Sequence, residues 1–128
     1  MRRFWPLLFL LPLGACGSGS PSSPSNGGSG GGSAATITIT STGVSATQTN
    51  VTPGARVTFV NMDIRAHNMT SDPHPEHNDC SEINTVGLLQ PGQSRETGNL
   101  VAVRTCGFHD HDDPPPGGAR WAGRITIR

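Results

Sequence analysis

The sequence predicts an all-β domain, a small Greek-key β-sandwich, and three observations carry that expectation. Apolar and hydroxyl residues alternate with a period of two along residues 35–40, as in a half-buried strand. Pro53-Gly54 and Pro91-Gly92 mark turns between apolar runs. No segment keeps a helical period over a helix-length window, so the layers must be built from strands.

Taken in order, Ile37 and Ile39 give the first strand its apolar face, and Gly43 ends it. Val44 and Val51 lie in a Thr- and Ser-rich stretch expected to hold another short strand. Residues 56–61 follow as a second strong strand, with Val57 and Phe59 on one face. Residues 65–83 change character: His67, Asp72, His74, Glu76, His77, Asp79 and Cys80 crowd together, and Pro73 and Pro75 flank His74. Prolines so placed exclude a helix or a central strand, which predicts a polar loop. Residues 94–103 are expected to return as strand, with Leu100, Ala102 and Arg104 on one face and Val101 and Val103 on the other. Residues 121–127 close the fold, Trp121, Gly123, Ile125 and Ile127 alternating with Ala122, Arg124 and Thr126. The reactive residues then fall on loops at one end of the sandwich.

The chain of 128 residues divides into three parts. Residues 1–16 read as an export signal: Arg2-Arg3, a short apolar run from Phe4, and small residues before Cys16. The run is too short to span a bilayer. Leu13-Gly14-Ala15-Cys16 is similar to the bacterial lipobox, which implies lipidation of Cys16 and attachment to a bacterial membrane, the domain facing periplasm or exterior. Residues 17–34 are Gly-, Ser- and Pro-rich and read as a flexible linker. Residues 35–128 are long enough for one modest core.

Formal charge is zero over the whole chain. With Arg2 and Arg3 in the leader and no Lys anywhere, the rest is mildly acidic, which argues against nucleic acid as a partner.

The chemistry concentrates in residues 104–111, where Cys106, His109, Asp110 and His111 stand together. A thiolate with two imidazoles suits copper or zinc and is poorly matched to magnesium or calcium. Two residues separate Cys106 from His109, so a loop leaving a strand can aim both at one ion. A third ligand must come from elsewhere, and His67, after the 57–61 strand, is the choice.

Val57-Thr58-Phe59-Val60-Asn61 leading to His67, then Leu89-Gln90-Pro91-Gly92-Gln93-Ser94, Thr105-Cys106-Gly107-Phe108-His109 and Gly123-Arg124-Ile125-Thr126-Ile127 form an ordered set. In order and approximate spacing this set resembles the blue-copper cupredoxins of the plastocyanin type, over essentially all of residues 35–128. The resemblance implies a cupredoxin-like sandwich with His67, Cys106 and His109 as equatorial ligands of a single copper ion. It further implies a monomeric electron carrier, not an enzyme, that cycles between Cu(I) and Cu(II) and serves envelope redox proteins. The chain departs from the pattern where such domains place an axial Met before the last strand, because Trp121 stands there. Either Trp121 fills the axial space, or His111, Asp110 or Asp112 supplies a harder ligand.

Cys80 opens a competing reading. Two cysteines in an exported domain pair by default, and a Cys80–Cys106 bridge would take the thiolate from the metal. Cys80 could also remain a free or reversibly bonded thiol that regulates loading. His74 and His77 are open to more than one reading as well: a secondary metal-capture site or a lid over the primary one, or a solvated polar loop. The rival functions are therefore a copper-handling or buffering protein and a metal-free surface interaction module closed by a Cys80–Cys106 disulfide.

Overall fold

A computed structural model describes residues 33–128. The expected export signal, Cys16 and nearly all of the expected linker lie outside the described residues. Nine strands follow in order: β1 Ser33–Thr40, β2 Gly43–Val44, β3 Gln48–Val51, β4 Arg56–Asn61, β5 His67–Ser71, β6 Gly87–Leu89, β7 Ser94–Glu96, β8 Arg104–Asp110 and β9 Gly123–Ile127. Ile83–Thr85 and Ala119–Trp121 form short 3-10 turns. Among the described residues no helix is long and apolar enough to cross a membrane.

The strands form two sheets, one ordered β2-β1-β4-β7 and the other β3-β9-β8-β5-β6, so the all-β sandwich expectation holds. Two parallel pairs, β1 with β4 and β3 with β9, tie the first third of the domain to later strands. The period-two pattern does the work expected of it. Ile37 and Ile39 of β1 and Val57 and Phe59 of β4 are fully buried, and they meet Met69, Phe108, Ile125 and Ile127 of the second sheet in one core. Phe59 and Phe108 meet edge to face across the sandwich with centroids 5.2 Å apart.

Three elements differ from the sequence expectation. Residues 94–103 do not make one strand, because β7 ends at Glu96 and the chain is diverted: Gly98 N–H donates to Glu82 O at 2.8 Å. Leu100 is then held by an isolated bridge to Ala55, which leaves Val101 and Val103 exposed. Trp121 belongs to a 3-10 turn, and the last strand begins at Gly123.

The third difference decides the site. Residues 104–110, expected as a loop, are the central strand β8, paired with β9 along Arg104–Phe108 and with β5 along Phe108–Asp110. His67 likewise stands at the first position of β5.

Candidate metal centre

Side chains on a strand alternate between its two faces. On β8 that rule sends Cys106, Phe108 and Asp110 toward the core: Cys106 opposes buried Ile125, and Asp110 opposes buried Met69. His109 therefore projects from the opposite face. On β5 the alternation is equally clear, with His67, Met69 and Ser71 buried and Asn68 and Thr70 half-buried. His67 and Cys106 consequently share the core side, and His109 does not. The set His67, Cys106, His109 is not brought together around one point.

The bonding partners of these residues also keep them from a common ion. Cys106 is joined to Cys80 in a disulfide, so it offers no thiolate. His67 is fully buried, its Nδ1 lying 2.7 Å from Asp110 Oδ2 and its Nε2 3.0 Å from Asp63 Oδ2. Both ring nitrogens thus face carboxylates, and neither directs a lone pair at an ion. The His67 hydrogen bond holds the Asp63 carboxyl below the usual carboxylate range, against the desolvation that opposes it. Trp121 packs on His67 with centroids 5.1 Å apart and donates its indole N–H to Thr40 O at 2.8 Å. Arg65 and Arg120 stack on its ring, at 4.7 and 3.8 Å from the centroid. Trp121 is a core residue here, as are the inward Asp110 contacts; Asp112 is exposed and contributes its backbone N–H to Asp110 Oδ1.

His109 meets a different set of residues. The segment that follows β5, residues 72–80, folds against β8, and its backbone is pinned at both ends. Asp72 N–H donates to Gly107 O at 3.0 Å, and Gly107 N–H donates to Asp79 Oδ2 at 3.0 Å. Gly107 is required by this approach, since a Cβ there would collide with the Asp72 carboxylate. The disulfide fastens the end of the same segment to β8. Within it, His77 takes the left-handed conformation with φ of 52°, uncommon for a residue with a Cβ. Three bonds keep it there: His77 N–H to Pro73 O, Asn84 Nδ2–H to His77 O, and His77 Nδ1–H to Ser71 O.

The result is a cluster of imidazoles. His74, His77 and His109 can each present one ring nitrogen so that all lie within 4.8 Å of one another. His111 closes the group, with ring centroids 4.8 Å from His77 and 5.1 Å from His74. Tautomers are set by the outer contacts. Asp72 Oδ1, 2.6 Å away, accepts from His109 Nδ1, which leaves Nε2 as the free lone pair. That His109 Nε2 is buried and has no hydrogen-bond partner among the described residues. Ser71 O, 2.8 Å from His77 Nδ1, fixes His77 in the same way with Nε2 free to accept. His74 is exposed, and its pKa lies below the usual imidazole range, first through desolvation and then through the charges of His111, His109 and His77.

An orphaned, buried imidazole nitrogen whose other nitrogen is held by a carboxylate is the arrangement metal-ligating histidines adopt. An all-imidazole donor set fits copper, zinc or nickel. Copper therefore fits this cluster, but as a nitrogen-ligated ion without the thiolate of a blue centre. By sequence, His74 and His77 stand in a polar segment that is compatible with either a capture site or a solvated loop. The signal that finds them is the Cys80–Cys106 pairing, because that bridge carries residues 72–79 onto residues 105–111.

No family model and no curated protein sequence matches this chain. Among solved structures, it is similar to a purple cupredoxin from Nitrosopumilus maritimus, with 15% identity, a TM-score of 0.53, and 73% of this chain and 99% of that chain covered. The oxidised plastocyanin of Dryopteris crassirhizoma matches at 19% identity and a TM-score of 0.53, over 73% of this chain and 99% of that one. An oxidised methionine-to-leucine mutant of amicyanin matches at 15% identity and a TM-score of 0.56, over 74% of this chain and 82% of that one. The described domain is cupredoxin-like in fold.

Proposed function

We propose that this protein is a copper-binding protein of the bacterial cell envelope whose ion is held by His74, His77 and His109. The observation that carries the reading is the buried, unpartnered Nε2 of His109 facing two further imidazoles, with Asp72 and Ser71 O setting the ring tautomers. Copper bound there would supply a Cu(II)/Cu(I) couple on nitrogen ligands. The chain's own contribution is placement. Asp72 and Ser71 hold two rings with their lone pairs forward, β8 supplies a rigid floor, and the exposed ring of His74 leaves the cluster reachable from solvent. Export and anchoring through Cys16 form part of the same reading, supported by the Leu13–Cys16 pattern and the linker composition.

Such a centre serves copper capture and buffering directly, without an enzymatic step. Single-electron exchange with envelope redox proteins is the second reading, favoured by the cupredoxin-like fold and by rings already fixed in their ligating tautomers. The protein is proposed to act as a monomer in either role.

Titration of the purified protein with Cu(II), followed by electron paramagnetic resonance and optical spectroscopy, tests the proposal. One ion per chain with nitrogen hyperfine structure and no intense thiolate charge-transfer band is the expected result. Retention of full binding in His109→Ala would overturn it. Voltammetry then separates the two roles: reversible, fast cycling supports electron exchange, and sluggish or irreversible cycling supports buffering.

A further inference from the structure

We infer that His111 is a fourth copper ligand, bound through Nδ1, and that it exchanges its hydrogen bond to His77 for the metal. This rests on the copper reading of His74, His77 and His109 and adds a residue and a binding mode to it.

The inference starts from a conflict over one lone pair. His77 Nδ1 donates to Ser71 O, so its Nε2 carries the only lone pair the ring has to offer. His111 Nδ1 lies 2.8 Å from that nitrogen, and between two imidazole nitrogens one must donate. Because His77 Nε2 is the acceptor, His111 carries its proton on Nδ1. An ion that takes the His77 lone pair breaks this bond, since the same electron pair cannot serve both.

The surroundings decide where His111 then goes. Its backbone is held: His111 N–H donates to Asn68 O at 2.7 Å. The preceding Asp110 is fastened from the core side, Oδ2 to His67 Nδ1 and Oδ1 accepting from Asn68 N–H at 3.0 Å and Asp112 N–H at 3.2 Å. Alternation along β8 places Asp110 inward and His109 toward the loop, and His111, just beyond the strand, has its ring 5.1 Å from that of His74 and 4.8 Å from that of His77. With the backbone fixed, the ring stays beside His74 and His77. Two nitrogens bound to one ion at about 2.0–2.1 Å stand roughly 3 Å apart, which is the separation His111 Nδ1 and His77 Nε2 already have. The rings now aim at each other along that hydrogen bond, so the change required is a rotation that brings both lone pairs onto the ion, together with a tautomer exchange. The Nδ1 proton is given to solvent and one is taken up at Nε2, with no net change in protonation, and the Nδ1 lone pair goes to the ion.

The test uses the full chain with histidines labelled with nitrogen-15. Zn(II) loading followed by long-range proton–nitrogen correlation spectroscopy reports each tautomer without any substitution. His111 is expected to change from the Nδ1–H to the Nε2–H form, with Nδ1 shifted by coordination. Cu(II) loading followed by pulsed electron paramagnetic resonance counts coordinated imidazoles. Four in the wild type and three in His111→Ala are expected, with affinity reduced by at least the roughly 10- to 100-fold that loss of an outer-shell partner costs. Copper bound with the same imidazole count in both proteins, or His111 remaining Nδ1–H in the zinc-loaded protein, overturns the role of His111 and leaves the three-histidine centre standing. Absence of specific copper binding in the wild type overturns the underlying reading instead.

Discussion

Asp72 Oδ1 lies 2.6 Å from His109 Nδ1, so a carboxylate on a loop orients an imidazole on the central strand β8. The contact joins the two halves of the cluster. It places the loop that carries His74 and His77 against the strand that carries His109, and it fixes which nitrogen of His109 is free.

Asp72→Ala removes the orienting acceptor without removing a proposed ligand. Copper affinity should fall by about 10- to 100-fold, the usual effect of losing such a partner. Isothermal titration with Cu(II), alongside a circular dichroism melt to establish that the fold is intact, measures it. Unchanged affinity would show that His109 is oriented by something other than Asp72.

Gly107→Ala places a Cβ into the Asp72 carboxylate. The loop must shift or the strand must give, and overpacking of this kind costs about 1–3 kcal/mol. Urea denaturation should show that loss, and copper affinity should drop with it because the displaced group is Asp72. A variant as stable as wild type would mean that the loop moves freely over β8.

The Cys80–Cys106 disulfide closes a loop with a sequence separation of 26. Replacing both cysteines by Ser should lower unfolding free energy by about 2–4 kcal/mol. Mass spectrometry of the native domain should find these two cysteines short of two hydrogens. Free thiols at both positions, together with an intense charge-transfer band on adding Cu(II), would restore the thiolate centre that the sequence resemblance implied.

Asp63 carries the acid response. Its carboxyl is held below its ordinary value in the folded protein, chiefly by the His67 hydrogen bond, so the unfolded chain binds a proton there more readily. The resulting stability is present above about pH 4 and is lost as pH falls below it. Unfolding free energy measured from about pH 6 down to 2 should decline less steeply in Asp63→Asn than in wild type. Parallel curves would remove Asp63 from the account of acid lability.

The strands were legible to different degrees for a physical reason. β1 and β4 announce themselves because one face is apolar and the other hydroxylated, and both strands do pack Ile37, Ile39, Val57 and Phe59 into the core. β8 does not, because Cys106–Asp110 is buried on both faces, against the core and under residues 72–80, and its His and Asp residues look like loop chemistry. Reading it as a loop removed the alternation that separates Cys106 from His109. His67, expected as an equatorial copper ligand, is buried with both ring nitrogens against the Asp63 and Asp110 carboxylates.

Composition and periodicity alone determined that the chain builds one small all-β sandwich and that its chemistry gathers in two short segments, residues 67–80 and 104–111. Those properties are local, set by alternation, turn residues and the donor types present. Only the tertiary structure decided which donors meet. Strand parity turned Cys106 and His67 inward and His109 outward, and the disulfide carried His74 and His77 over the strand. A ligand set depends on faces and crossings between segments far apart in sequence, and neither is encoded in the spacing of residues along one of them.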